Sequence, residues 1–565
     1  MQLVSDSSGI PDRQAVIADL ASSCAHVWCF WIEPRTDRPA LLISSEWNLS
    51  GFLLLGLASS VEWWDTDCER AALLARVASD LGLGLCVRHC AAESLVMKVS
   101  HLKEPLGLAA LQGPFGAPSL GGSGRRGGLL DRLRTLTAGH GQCCVITPNR
   151  FALRTRRQRD FATPTEGSLL TPAQARRRLA PSQTESVSTN FFHPDHVHPT
   201  EILTPPDLLP AARRNHFWAR LLQRLGIVDK IIGSFSCVVP FRQEVALLQE
   251  MLRELPRGPA LPDQVTWGDC VVREGSMLFL EAGVERANEV LLRVPLSQDA
   301  ADALHRADRV YTEMLETLPW LRRLIPEASP MRDVRGWPAR VEQRCHGITA
   351  RTLVRDPSQR GVLRRRVEEF VSTLCGSTTR TVTVGDTFIE KHITSKFASI
   401  RAAAPALSSQ LSIVEASLVD MTRGRAVPTV RIHGDVNMGN LFFDPDTLRL
   451  TGVIDWEASV PDSLPFDLLH YLLSEQQELQ KRTWGDLLAG EFSARTFDDD
   501  ARGLLASHLA DVGLAEDLVP TLRVAYWIRG VAVRIERSGG RLAANWQRQN
   551  LAEPLVAIVS ALART

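Results

Sequence analysis

Residues 430–457 read VRIHGDVNMGNLFFDPDTLRLTGVIDWE, and three side chains in this stretch decide how the C-terminal half of the chain is to be understood. Apolar Val430 and Ile432 predict a short strand running into His433-Gly434-Asp435, and the LFFD and TGVIDWE segments on either side of the turn-forming Asp444-Pro445-Asp446 predict a hairpin. Asp435, Asn440 and Asp455 then converge on one loop surface. Such a set suits phosphoryl transfer, which asks little covalent chemistry of a protein. It needs a carboxylate to accept a hydroxyl proton and hard oxygen ligands to hold Mg²⁺ against phosphates. Asp435 fits the first task, Asn440 and Asp455 the second. HGD alone reads equally well as a turn capped by its Asp; the joint spacing carries the argument.

D-x-x-x-x-N followed by a hydrophobic strand pair and Asp-Trp-Glu repeats the layout of a kinase catalytic loop and its metal-binding Asp. The stretch resembles the aminoglycoside phosphotransferase and choline kinase family, whose hallmark is an HGD loop ending in Asn and followed by a D-W or D-F-E segment. The resemblance implies an α+β, two-lobed, protein-kinase-like fold with ATP between the lobes. It also implies ATP- and Mg-dependent transfer to a hydroxyl of a small molecule: a metabolite, sugar, antibiotic or glycan intermediate. Gly434 stands where protein kinases carry an Arg that can pair with a phosphorylated activation loop. After Asp455 the chain runs through EASVPDSLPFDLLHYLL into a helix without an APE motif. Both features favour a small-molecule acceptor over a protein.

Upstream, residues 289–315 read as a strand, a turn at Pro295-Leu296-Ser297 and a helix with Ser297 as N-cap. In the resemblance these are the strand and helix of a kinase N-lobe. Arg293 is then the cation expected at the α- and β-phosphates, and Asp308 the helix acid facing it. Kinases usually carry Lys and Glu here, but a forked, permanently charged Arg also grips phosphate oxygens. Gly275 and Ser276, in VVREGSMLFLEAG, are the candidate phosphate-facing turn, although a Gly-Ser between strands is also an ordinary turn. Glu342 to Gly347 is expected as the connector that meets adenine through its backbone. Asp467, in PFDLLHYLL, is expected to cap its helix or brace the loop.

The 565 residues leave room for a sizeable second part. Hydrophobic content of 44% and charged content of 23% are those of a globular chain. With 64 basic and 64 acidic residues the net charge is zero, so no global field draws the protein to nucleic acid or anionic membrane. Basic clusters at 154–159 and 363–369 read as solvated faces. Eleven scattered cysteines, with Cys143 and Cys144 adjacent and no C-x-x-C pair, predict reduced thiols in a cytoplasmic protein. The longest apolar runs stop short of a membrane span. FFHPDHVHP (191–199) gathers three His and one Asp, but its two prolines and lack of a helical or strand framework predict a connector and not a metal site.

The N-terminal part alternates strand and helix. Strands are predicted at 40–44, 60–65, 85–90, 107–112 and 142–150, with helices at 68–82 and 129–136 and a Gly-rich loop at 113–128. This order argues for a parallel, doubly wound sheet and is similar to class I S-adenosylmethionine-dependent methyltransferases. In that resemblance Asp65 is a remnant of the ribose-binding acid, and Glu93 stands where adenine is met. The first-strand loop departs from the family's E/D-x-G-x-G-x-G. Here Ser45 to Gly51 reads SEWNLSG, keeping only the last glycine, and Trp47 and Leu49 obstruct close backbone approach. The domain is expected to be methyltransferase-like but degenerate, without S-adenosylmethionine.

The expected division is therefore 1–240 for the α/β domain with its extension, 241–264 for a helix and linker, and 265–565 for the kinase-like domain. Two other functions fit the same residues: a bifunctional methyltransferase-kinase, and a non-catalytic binding or regulatory protein. Retention of Asp435, Asn440 and Asp455 together favours an enzyme.

Overall fold

The computed structural model describes residues 27–45, 50–80, 82–113, 129–138, 141–148, 172, 175, 179, 188–193, 201–203, 234–239, 246–254, 266–273, 277–283, 290–335, 337–492, 496–537 and 543–562. The chain divides into two compact units, Met1–His305 with Glu327–Arg344, and Arg306–Pro326 with Cys345–Thr565.

Among the described residues the first unit has thirteen strands: β1 (Ala40–Ser44), β2 (Val61–Asp65), β3 (Leu85–His89), β4 (Leu108–Gln112), β5 (Gln142–Pro148), β6 (Ser188–His193), β7 (Glu201–Leu203), β8 (Ser234–Val239), β9 (Thr266–Arg273), β10 (Met277–Gly283), β11 (Val290–Pro295), β12 (Arg332–Val334) and β13 (Trp337–Gln343). They form one sheet in the order β12-β13-β11-β10-β9-β7-β6-β8-β5-β4-β1-β2-β3. β3, β2, β1, β4 and β5 are parallel, as the βα alternation of the sequence requires. Successive side chains enter opposite faces. Ala40, Leu42, Leu108, Ala110, Cys144 and Ile146 pack into one core layer, and Leu41, Ile43, Ala109, Leu111, Cys143 and Val145 into the other. Both faces being covered, β1 and β4 are buried along their whole length. Cys143 and Cys144 thus point apart, and neither is in a disulfide.

Past β5 the sheet turns antiparallel, with β8 between β5 and β6. The segment 191–199 was expected to lack a strand framework. Instead β6 carries Phe191 to His193 and pairs with β7 at Phe191↔Leu203 and His193↔Glu201; residues 194–200 lie outside the described residues. The division expected between 240 and 265 also falls elsewhere. β7 pairs with β9 at Glu201↔Val271 and Ile202↔Cys270, so the β9–β13 meander continues the N-terminal sheet. An unpaired edge on each side is the reason, since backbone donors and acceptors left open on two edges satisfy each other. The helix Leu247–Glu254, expected beside a linker, is part of the same core: Leu247, Leu248 and Met251 are fully buried, and Leu247 N donates to Ile32 O at 3.0 Å.

The second unit is mainly helical, with two small sheets. One is β15 (Arg380–Thr383), β16 (Ala426–Ile432) and β19 (Val460–Ser463); the other is β14 (Ile348–Thr349), β17 (Leu441–Phe443) and β18 (Leu450–Val453). β17 and β18 are the hairpin expected around Asp444-Pro445-Asp446. β19 was not anticipated: the sequence between Asp455 and the next helix bends back to pair Val460 with Ile432 and Ser463 with Val430. The helix Gln298–Thr317 has Ser297 at its start, with Ala300 N donating to Ser297 Oγ at 3.3 Å, and places Ala307, Tyr311 and Met314 in this unit's core. Buried Arg364, on the helix Pro357–Gly376, ties that helix to Glu475 (2.7 Å) and to Asp498 (2.8 Å), the N-cap of Asp499–Asp511. Glu475 belongs to the helix Asp467–Gln480, so this ion cluster fixes the element that supports the loop described below. Among the described residues no helix is long and apolar enough to cross a membrane.

One buried histidine makes stability of this unit pH-dependent. Ser372 Oγ donates to Glu368 Oε1 at 2.7 Å, so Ser372 Oγ accepts from His508 Nδ1–H at 2.8 Å, and His508 Nε2 finds no partner among the described residues. Burial lowers the pKa of this ring to about 4. The unfolded chain takes up this proton below about pH 6.5, and the folded chain only near 4. Stability should therefore fall as pH drops across that window, by on the order of 3 kcal/mol. Urea titrations at pH 6.5 and 4 should show a smaller loss for His508→Gln than for the natural chain.

Candidate active site

β16 ends at Ile432, and the next two backbone amides are held by one carboxylate. His433 N donates to Asp467 Oδ2 at 2.7 Å and Gly434 N to Asp467 Oδ1 at 2.9 Å. Asp467 is buried, so this bracing of the loop works in a medium where such bonds are strong. Gly434 adopts φ +84°, and a Cβ there would lie 2.3 Å from Ala458 O. The residue that separates this loop from a protein-kinase loop is therefore required by the fold. Arg529 Nη1 approaches Gly434 O at 3.5 Å.

His433 is fully buried against the Trp456 ring, with 4.4 Å between centroids. Its Nδ1 accepts from Asp435 N at 3.2 Å and its Nε2–H donates to Ile454 O at 2.9 Å. Burial depresses its pKa against the pull of Asp467 and Asp435, which keeps the ring in this neutral form. Ile454 N in turn donates to Asn440 O at 3.0 Å. Both polar groups of Ile454 are thus pinned, and the next residue, Asp455, is forced to φ 63° and ψ 53°. A non-glycine residue in that region is uncommon and costs energy, which concentrates at functional positions.

Asn440 spends its nitrogen on Asp435, donating to the backbone O at 3.0 Å and to Oδ2 at 3.1 Å. Its side-chain oxygen takes no part in these two bonds. Asp435 Oδ1 lies 3.2 Å from His470 Nε2, and His470 Nδ1 lies 2.7 Å from Tyr526 Oη. Burial pushes the Asp435 carboxyl up, but side-chain hydrogen bonds, that from His470 first and that from Asn437 after it, outweigh it and hold the group well below the usual carboxylate range. Of the three residues singled out by spacing, Asn440 bonds Asp435 directly, and the Ile454–Asn440 backbone bond holds the residue before Asp455 beside them. His470 and Tyr526 were missed. The signal was present in PFDLLHYLL, where His470 stands three residues after Asp467 and so on the same helix face.

Residues 273–505 match the model of the phosphotransferase enzyme family. The matched segment, less than half of the chain, is similar to phosphotransferases. Among solved structures it is similar to the aminoglycoside phosphotransferase APH(3'')-Id of Streptomyces rimosus, at 18% identity and TM-score 0.25, covering 44% of this chain and 93% of that one. It is similar to an rRNA methylase from Streptococcus thermophilus at 10% identity and TM-score 0.22, over 39% and 95% of the two chains. It is also similar to WbdD, solved with the kinase inhibitor LY294002, at 13% identity and TM-score 0.24, over 89% of each chain. No curated protein matches the sequence.

The other residues expected of a phosphotransferase lie as follows. Arg293, in β11, is buried; its Nη1 donates to Glu342 Oε1 at 3.1 Å and its guanidinium lies 5.2 Å from the Phe279 ring centre. Glu342 was expected in the connector but stands inside β13, opposite Leu291, and also meets Arg340 at 3.1 Å. A buried carboxylate between two guanidiniums is a strand-to-strand clamp, and the chain leaves the strand only after Gln343. Asp308, half-buried, lies on the helix Gln298–Thr317, in the stretch counted with the second unit; its carbonyl accepts from Thr312 Oγ1 at 3.0 Å. Gly275 and Ser276 lie outside the described residues.

At the end of β2, Asp65 is fully buried and committed within the protein. Arg70 reaches it from Nε at 2.8 Å and from Nη2 at 2.6 Å, and Asp67 N donates to it at 2.8 Å. Gln112, at the end of β4, accepts from Ser50 Oγ at 2.8 Å and Trp28 Nε1 at 3.2 Å. Gly51, the glycine retained in the first turn, serves helix packing: a Cβ there would sit 2.1 Å from the Trp63 ring. Glu93 is exposed in the turn Ala92–Ser94. Trp47 and Leu49 lie outside the described residues.

Gly434→Ala tests how tightly the phosphotransferase loop is specified. The positive φ alone should cost on the order of 1 kcal/mol, and the clash with Ala458 O adds to it. A lower melting temperature together with near-complete loss of phosphoryl transfer is expected.

Proposed function

We propose that the protein transfers the γ-phosphoryl group of ATP to a hydroxyl of a small molecule, with Asp435 as the base and Asn440 and Asp455 holding Mg²⁺. The observation that carries this reading is the pinned loop, in which a carboxylate, an amide oxygen and a second carboxylate in a strained backbone come together. Asp435 receives the hydrogen bond of the acceptor hydroxyl and aims its oxygen at the γ-phosphorus. As the new P–O bond forms and the bond to ADP breaks, the hydroxyl proton passes to Asp435. A carboxylate held so far into its ionised form is a weak base, but the transition state is loose and the proton moves late, so orientation counts for more than basicity.

Asn440 Oδ1 and the Asp455 carboxylate fit a hard cation that prefers oxygen. Among the described residues no cluster of three His, Cys, Asp or Glu stands at metal-holding spacing. Two protein ligands with the remaining positions filled by phosphate oxygens and water is the arrangement Mg²⁺ favours. Asn440 and Asp455 would hold Mg²⁺, which would supply positive charge to offset that developing on the phosphates.

Asp435→Asn should lower turnover by roughly 10²–10⁴-fold while nucleotide affinity stays nearly unchanged. Asp455→Ala should abolish Mg²⁺-dependent ATP binding in calorimetric titration, and Asn440→Ala should weaken it less. A binding protein without turnover would show no phosphate adduct on any hydroxylated metabolite by mass spectrometry, and that result would remove the enzymatic reading of these residues.

We infer that the N-terminal sheet is methyltransferase-like and does not use S-adenosylmethionine. Asp65 and Gln112, at the strand ends where doubly wound sheets meet their ligands, spend their side chains on Arg70, Ser50 and Trp28. Titration of S-adenosylmethionine into the full chain should give no heat of binding. Micromolar binding lost in Asp65→Ala would reverse this and make the protein a bifunctional methyltransferase-kinase.

A further inference from the structure

We propose that His470 is the positioning residue of the catalytic base, its ring locked by Tyr526 and Trp484 so that Nε2–H points at Asp435. This rests on the reading of Asp435 as the base.

The direction of the hydrogen bonds follows from the group at the far end. The Trp484 indole N–H can only donate, and it donates to Tyr526 Oη at 3.1 Å. Tyr526 is buried, so its own hydroxyl proton needs an acceptor, and the polar atom beside it is His470 Nδ1 at 2.7 Å. With Nδ1 accepting, the proton of the neutral imidazole lies on Nε2, 3.2 Å from Asp435 Oδ1. The opposite tautomer would aim a lone pair at a carboxylate and leave the buried tyrosine proton unpaired. Aromatic packing holds the arrangement: the Tyr526 ring centre lies 5.9 Å from those of both His470 and Trp484, and 5.8 Å from that of Phe466.

The carboxylate is thereby fixed at both oxygens, by His470 on Oδ1 and Asn440 on Oδ2. Each oxygen keeps lone-pair capacity for an incoming hydroxyl. His470 and Asp467 stand on one helix, one turn apart, so the element that holds the loop backbone also holds the side chain at its centre. Outer partners that orient the ligands of a metal site are worth about 10–100-fold, and a loss of that size is expected here.

The test uses the full chain and steady-state release of ADP from MgATP, with glycerol as the hydroxyl probe. His470→Leu should lower kcat by about 10–100-fold with KM for MgATP within about twofold. His470→Gln, which can present an N–H at similar reach, should recover most of the rate, and Tyr526→Phe should lose a smaller part. A Leu variant as fast as the natural chain, or a Gln variant as slow as Leu, would overturn the proposal. A natural chain that releases no ADP would instead remove the proposed function. The tautomer is then read independently by ¹⁵N-histidine spectra assigned with His470→Gln. Protonation of His470 at Nε2, lost or mixed in Tyr526→Phe, supports the positioning role, and protonation at Nδ1 sinks it.

Discussion

A single buried carboxylate, Asp467, holds the two amides that follow β16, and the geometry of the reactive loop descends from that grip. With His433 N and Gly434 N taken, the chain must turn at Gly434 with a positive φ, which lays the His433 ring against Trp456 and within reach of Ile454. Ile454 is then held through its carbonyl by His433 and through its amide by Asn440. Asp455 has no freedom left and takes a left-handed backbone. Each bond is of ordinary strength; their force lies in closure, because releasing one leaves a buried polar group without a partner.

The loop also shows how a carboxylate can be kept available under opposing pressures. Partial burial favours the neutral acid, yet the hydrogen bonds at its two oxygens favour the ion, and the latter win. Asp65 in the first unit faces the same contest with a different outcome. Burial pushes its carboxyl up and Arg70 pulls it down without fully offsetting the burial. Its oxygens go to a neighbouring side chain and turn, so the acid closes a structural contact.

Much of this was legible in the sequence where the signal is local. The alternation that predicts β1 to β5 and the HGD-to-DWE spacing depend on residues close in the chain, and their boundaries fall within two residues of those expected. What escaped was set by distant pairing. β19 exists because β16 offers it an open edge, and the β7–β9 seam joins strands some sixty residues apart. The place of Glu342 was misread for the same reason: a Glu before a Gly suggests a connector, but Arg293 across on β11, with Arg340 on its own strand, makes it a clamp. His470 was in plain view in PFDLLHYLL, yet its meaning depends on Tyr526 and Trp484, which only folding brings to it.

The β7–β9 seam bears on how such a protein can be taken apart. A family boundary drawn near residue 273 suggests a portable module, but cutting there removes β9, breaks its pairing with β10 and bares the β10 edge, Met277–Gly283, to solvent. Open edges of that kind recruit other chains. The matched segment thus begins inside a continuous sheet, and the N-terminal strands are partners in its folding whatever else they do.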